Sequence, residues 1–296
     1  MHEELRLALL RSDPALSRFD PLPRIIVADD FDRGLQGWTG LIGNYEGSLN
    51  AILPPYRDLR GPMLSNLSMW DTGSDGSMNG TYALKLATRP TAGALAVAIK
   101  RLTFRHLGPI RLEAYFTFKP EASALELSET DVRAVGVLFD LQDVDRKGAE
   151  AQRIMPHIRY LNAQHGEAVG RWQFKKERVV LHDIGGSGKT RSHFHLAPEG
   201  WENLPDGEQI LCYNEIATKQ NWYYLRLDFD LATMRYLRFQ CNDRVFDLAS
   251  LAEVAPMQMP AMANLWCMLN TAFFVETDTA KRAFLYLDSV VLSGDW

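Results

Sequence analysis

The sequence predicts an all-β fold, an antiparallel β-sandwich with a short N-terminal helical arm. Three observations carry this. Several segments alternate apolar and polar residues with a period of two, long helical periodicity is absent, and turn signals separate the segments. In Ile110 to Phe118, the residues Ile110, Leu112, Ala114, Phe116 and Phe118 face one way, and Arg111, Glu113, Tyr115 and Thr117 the other. Tyr223 to Leu231 repeats the scheme, with Tyr224, Arg226, Asp228 and Asp230 on its polar face. Met234 to Cys241 follows within a few residues, so Asp230 to Thr233 reads as a hairpin turn.

The other elements follow in order. Glu3 to Arg11 reads as a helix ended by Ser12-Asp13-Pro14. Strands are expected at Thr81–Thr88, Leu95–Leu102, Ala134–Leu141, Ile154–Leu161, Ala168–Phe174, Val179–His182 and Phe284–Leu292. Ala134 to Leu141 is apolar on both faces, which predicts a central strand. A short helix is expected near Asp247 to Val254. Leu41 to Gly80 and Ser187 to Gln209 read as long loops, the kind that carry function or move. The organisation expected is an arm over residues 1–24 and a single sandwich domain over residues 25–296.

The chain has 296 residues and a net charge of −5, with both signs spread along it. That argues against nucleic acid, which needs a basic field. The basic run Lys175 to Arg178 contains Glu177 and reads as a solvated strand end. Three cysteines make no even disulfide framework and show no metal-ligand spacing. The acidic start, Met1-His2-Glu3-Glu4, does not look like a secretory signal, so a cytoplasmic home is expected. A chain trimmed of its signal would look the same. Val254 to Val275 carries no charge over a length that could span a bilayer. Pro256, Pro260, Asn264 and Asn270 interrupt it, so a loop and a buried strand from Leu265 to Val275 are expected, with no membrane partner.

Two motifs fall short. Gly185-Gly186-Ser187-Gly188-Lys189-Thr190 resembles a phosphate loop, but Asp183 stands where its first glycine belongs, and Pro198 and Gly200 break the helix it needs. His193 and His195 would share one face of a strand, with His157, His165 and His182 nearby in sequence. No cysteine or acid stands at a diagnostic zinc spacing beside them.

Three stretches carry a resemblance. Asp29-Asp30-Phe31-Asp32 precedes Gly37-Trp38. Gly76-Ser77-Met78-Asn79-Gly80-Thr81-Tyr82-Ala83-Leu84-Lys85-Leu86 follows, and Leu285-Tyr286-Leu287-Asp288-Ser289-Val290-Val291-Leu292 closes the chain. Their order resembles jelly-roll sandwiches of the concanavalin A-like lectin and glucanase group and related carbohydrate-binding modules. The resemblance implies that the first and last strands lie together. It also implies a structural Ca²⁺ between them, held by Asp30, Asp32 and Asp288, since calcium takes hard oxygen ligands. These acids could equally sit at solvated strand ends. Retaining glucanases of the group carry Glu-x-Asp-x-x-Glu on one strand, and this sequence lacks it. Asp228 with Asp230, or Asp140, Asp143 and Asp145, are the remaining acid groupings, and each also suits a wet strand face or a turn.

Sugars present apolar C–H faces and a ring of hydroxyls, so their sites need aromatic platforms and planar polar groups. Glu113, Tyr115, Tyr224 and Arg226 supply such a set if their strands share a sheet. His157, Arg159 and Trp172, beside Arg171 and Gln173, would add to it. The same aromatics could simply pair across strands. Trp38 is expected in the core. The first expectation is thus a β-sandwich that binds a small sugar or glycoside. A glycoside hydrolase with a nonstandard carboxylate pair is the second, and a self-assembling structural protein, packing as a homo-oligomer, is the third.

Overall fold

The computed structural model describes residues 2–40, 61–65, 76–104, 106–121, 129–143, 152–181, 192–211, 221–262 and 267–296. One helix, α1 (His2–Ser12), opens the chain. Two antiparallel sheets then form the expected sandwich.

Sheet A runs β16 (Arg244–Asp247), β15 (Arg235–Cys241), β14 (Tyr223–Asp230), β6 (Pro109–Pro120), β19 (Ala283–Gly294), β4 (Leu84–Ala87), β3 (Met63–Leu64), and β1 (Arg24–Asp29) also pairs with β19. Sheet B runs β13 (Trp201–Glu208), β10 (Glu167–Lys175), β9 (His157–Gln164), β7 (Val132–Gln142), β18 (Met268–Thr277), β5 (Leu95–Thr103), β2 (Trp38–Gly40). Two short strands extend it, β8 (Arg153–Met155) on β7 and β17 (Met257–Met259) on β8. A separate ribbon joins β11 (Val179–Leu181) and β12 (Ser192–Phe194).

The core lies between the sheets because the alternation puts one apolar face of each strand there. Leu112, Phe116, Phe118, Leu225, Leu227, Leu285 and Leu287 from sheet A meet Val135, Val137, Phe139, Ile158, Tyr160, Trp172, Phe273 and Val275 from sheet B. Each large side chain buried there contributes about 1.5–3 kcal/mol. Sheet B is apolar on its other face too. Leu95, Val97, Ile99, Leu138, Ala272 and Phe274 form a second cluster with Met155, Leu196, Ala197 and Met257. That explains why Ala134 to Leu141 shows no alternation: β7 is central, and both its faces are covered.

The first and last strands do pair, Asp29 opposite Val290. Along one side of β19 the partner changes from β4, opposite Phe284 to Leu287, to β1, opposite Val290 to Gly294. The change falls at a bulge where Ser289 takes φ 67°. Trp38 is buried, and its Nε1–H donates to Asp29 Oδ2 at 2.8 Å, while Lys100 Nζ pairs with the same oxygen. This one carboxylate ties β1 of sheet A to β2 and β5 of sheet B.

Three expectations change. Ser187 to Gln209 is not one long loop, since β13 occupies Trp201–Glu208. It is an edge strand, where Pro205 falls in the irregular stretch between the paired Asn203 and Glu208, and its weak alternation hid it. Asp247 to Val254 shortens to a single 3₁₀ turn, Leu248–Ser250. Lys175 is not solvated. It is fully buried on sheet B, and its neighbour Lys176 is exposed. The strand expected before Val275 is β18, and among the described residues no helix is long and apolar enough to cross a membrane. The Gly185 to Thr190 motif lies outside the described residues.

Gly136 on β7 marks a close approach on sheet B. A Cβ there would sit 2.4 Å from Phe274 Cζ and 2.8 Å from the Ile158 carbonyl oxygen. Gly136→Ala should therefore destabilise the fold by about 1–3 kcal/mol, the usual range for overpacking. Urea denaturation checks this, and an unchanged midpoint would show that β7 and β18 pack more loosely than these distances require.

Candidate functional site

The sheet A candidates come together. β6 and β14 are neighbours, with Glu113 opposite Arg226 and Tyr115 opposite Tyr224. The two tyrosine rings lie 5.5 Å apart, and Tyr224 OH donates to Glu113 Oε1 at 2.6 Å. Glu113 is buried, and burial pushes its carboxyl above the ordinary range. The same desolvation, helped by the Glu113 charge, raises Tyr224. This face is not open. The segment after α1 lies across it, with Asp20 N–H donating to Glu113 Oε1 at 2.8 Å and Phe19 edge-on to Tyr115 at 5.5 Å.

The expected calcium ligands do not converge. Among the described residues no three His, Cys, Asp or Glu side chains are grouped to hold a metal. Asp32 Oδ1 accepts the backbone N–H groups of Thr81 (2.6 Å) and Tyr82 (3.0 Å). Asp288 Oδ2 accepts those of Met78 and Asn79. Asp30 Oδ1 takes the amide of Asp32 at 3.2 Å. Amide donors thus stand where a cation would need free oxygens, so the residues do not fit the ion. Asp32 and Asp288 instead pin residues 78–82 over the gap between β4 and β1. In the described residues these acids hold backbone amides.

Of the other three candidates, His157 and Arg159 lie on the outward face of sheet B, and Trp172 does not. Trp172 points into the core, against Phe239 at 4.5 Å and Tyr160 at 5.2 Å. Alternation dictates it: with Arg171 and Gln173 outward, Trp172 must face in.

That outward face carries the richest polar array. Arg159 is opposite both Gly136 and Gln173, and Gln173 is opposite Asn203, so one row crosses four strands. Arg159 Nε donates to Gln173 Oε1 and Gln173 Nε2 to Asn203 Oδ1, each at 2.9 Å. The Arg159 guanidinium lies 4.1 Å from the centre of the Trp201 ring. Its other partner is Glu276, at 3.6 Å, and Arg133 approaches the same carboxyl at 3.4 Å. Burial raises the Glu276 carboxyl, against the pull of both arginines. Burial also lowers Arg159 to about 10. The row runs from buried Glu276 and Arg159 through half-buried Gln173 to exposed Asn203.

Beside it, Lys175 Nζ donates to the Ala197 and Glu199 carbonyls. Trp201 Nε1–H donates to Ala197 O at 3.2 Å. Burial, with the Arg159 charge, lowers Lys175 to about 7. A neutral amine has two N–H donors, which matches two carbonyls. His157 Nδ1 contacts Met155 O at 2.8 Å, and a carbonyl only accepts, so this nitrogen holds the proton. Its Nε2 then accepts from His195 Nδ1–H at 3.1 Å. Burial drives both rings to the neutral form, His195 to about 3. Glu276, Lys175 and Trp201 were not singled out as ligand residues in the sequence, and His195 was weighed there only as a zinc ligand. Glu276 sits in a strand buried on both faces, where no alternation marks it.

The Lys175 ammonium has a measurable signature. Its ordinary value is 10.5 and its folded value about 7. Between those limits the unfolded chain binds more protons, so this residue's contribution to stability rises with pH across the window. Denaturation of the wild type and Lys175→Met at about pH 6 and about pH 9 should show the wild type gaining on the variant at the higher pH. A constant difference would mean that Lys175 stays charged in the fold.

No curated protein sequence matches the chain. Solved structures do overlay on it. A Bacteroides ovatus mixed-linkage glucan GH16 protein, in complex with its G4G4G3G product, gives a TM-score of 0.39 at 11% identity, covering 90% of this chain and 100% of its own. A pseudo β-1,3-glucanase of Mycobacterium tuberculosis gives 0.38 at 14% identity, covering 92% and 99%. The Emp46p carbohydrate recognition domain in its potassium-bound form gives 0.36 at 12% identity, covering 93% and 97%. These likenesses concern the sandwich fold alone. One family spans nearly the whole sequence, matching residues 6–296, and the chain belongs to it: the family described as "Domain of unknown function (DUF6772)".

Proposed function

We propose that the chain binds a carbohydrate on the outward face of sheet B, along the row of Arg159, Gln173 and Asn203 beside Trp201. The observation that carries the reading is this row of hydrogen-bonded planar groups. Planar amides and guanidinium match pairs of sugar hydroxyls, and the indole edge supplies apolar contact for a C–H face. The row is held rigid from below, because Arg159 is fixed by Glu276 and by the Trp201 ring. Pre-fixed donors lose little entropy on binding, which favours affinity for a small, hydrated ligand.

Hydrolysis asks for more. It needs two carboxyls flanking the bond, about 5 Å apart for retention and wider for inversion. In this row the buried carboxyl is Glu276, and arginines stand on both sides of it. Asp140, on the same sheet, is locked to Arg153 by two bonds of 2.9 and 2.8 Å. Asp228 is likewise held by arginines, and Asp230 closes a turn through Ala232 N–H and Thr233 Oγ1. These carboxyls therefore suit fixing and binding better than acid–base chemistry.

A glycan array run beside a glycosidase substrate panel tests the reading. Binding to a defined glycan without turnover is the expected result. Asn203→Ala, an exposed change, should weaken that binding by about tenfold, the worth of one or two net hydrogen bonds. Trp201→Ala should weaken it further. Turnover of any substrate would replace binding with hydrolysis, and full affinity in both variants would move the site elsewhere.

A further inference from the structure

The outward face of sheet A holds a second array, and it is built around two guanidinium groups. Asp228 receives Arg226 Nε at 3.0 Å and Nη2 at 2.6 Å, and Arg111 Nε at 3.0 Å. Both arginine side chains are only 11% exposed, and Asp228 is 10% exposed. Both guanidinium groups share that one carboxylate through Nε and Nη2, which leaves a paired donor site, made by their two Nη1 groups, that Asp228 does not meet. Asp20 of the chain's own N-terminal segment answers it, with Oδ2 at 2.8 Å from Arg111 Nη1 and 3.4 Å from Arg226 Nη1.

Asp20 holds this place loosely. Its side chain is 71% exposed, and exposed ion pairs contribute little to stability. The rest of the segment is held by more: Phe19 is buried against Tyr115, Asp20 O accepts from Arg111 Nη1, Tyr115 OH donates to Arg18 O at 3.5 Å, and Ser293 Oγ accepts Leu22 N–H at 2.9 Å. Pro21 and Pro23 flank the link to β1, which stiffens the segment and leaves Pro21 and Pro23 no N–H to donate. The segment also leaves something unmet. Glu113 is fully buried, its Oε1 accepts two donors, and its Oε2 has no hydrogen-bond partner. Buried polar atoms without partners are rare and costly.

We infer that this face is a binding site for an acidic saccharide such as a uronate, and that Asp20 is its displaceable internal stand-in. The ligand carboxylate takes the Arg111–Arg226 position now held by Asp20. A ring hydroxyl meets Glu113 Oε2, which the peptide leaves bare. The sugar's C–H face lies on Tyr115 in place of the Phe19 ring edge. This site lies on the opposite face of the sandwich from the Arg159 row and does not depend on it.

The full chain is titrated with D-glucuronate, with D-glucose and acetate as controls, and trypsin cleavage after Arg18 reports release of the segment. Glucuronate should speed cleavage at Arg18, and glucose and acetate should not. Asp20→Asn keeps the side-chain shape and removes the competing charge, so it should tighten glucuronate binding about three- to fivefold, the size of one exposed ion pair. Arg226→Gln should abolish the glucuronate response, with a melting curve as the check that it folds. Asn203→Ala should leave that response unchanged, which separates this site from the Arg159 row. Equal responses to glucuronate and acetate, or to glucuronate and glucose, overturn the inference. So does cleavage at Arg18 that glucuronate leaves unaltered, or Asp20→Asn binding at wild-type affinity.

Discussion

Glu276 is a carboxyl buried on the outward face of a largely apolar sheet, and it stays there because Arg133 and Arg159 stand on either side of it. A buried charge without partners would cost several kcal/mol, so the three groups form one unit. Much of the surrounding arrangement follows. Arg159, once fixed, lies against the Trp201 ring and presents Nε to Gln173. Its charge adds to burial in lowering Lys175, and Lys175 in turn holds the Ala197 and Glu199 carbonyls. Those carbonyls place the turn into β13, from which Trp201 and Asn203 project. The polar row is therefore the visible edge of a buried ionic unit.

The two outward faces of the sandwich differ in what covers them. Sheet B is covered partly by apolar residues of β8, β17 and the Leu196–Ala197 segment, which leave the Gln173–Asn203 end accessible. Sheet A is covered by the chain's own N-terminal segment, through the polar Asp20 and the apolar Phe19. An apolar cover is held by area and does not exchange readily with a hydrophilic ligand. A polar cover is held by bonds that a ligand with the same groups can replace one for one.

Legibility in the sequence followed the physics of alternation. β6 and β14 each turn one apolar face to the core, so alternation alone places Glu113, Tyr115, Tyr224 and Arg226 on one polar surface. The same rule would have turned Trp172 inward. It fails where both faces are covered: β18 is buried along its whole length, so Glu276 carries no periodic mark. Lys175 was hidden by its neighbours Lys176 and Arg178, because charge runs say nothing about single burial. Trp201 and Asn203 were hidden by Pro205 and Gly207, which read as loop residues and in fact belong to an edge strand. The Asp30, Asp32 and Asp288 reading failed for a further reason. A resemblance implies which acids stand at the strand junction, and only geometry shows that backbone amides already use their oxygens.

That the Arg159 row, and not some other surface, contacts the sugar is tested most directly by a map of NMR side-chain signals during titration with a glycan that binds. The largest shifts are expected at the side-chain amides of Gln173 and Asn203, the Trp201 indole N–H and Arg159 Nε–H. Saturating binding that leaves these four signals unmoved would contradict the assignment.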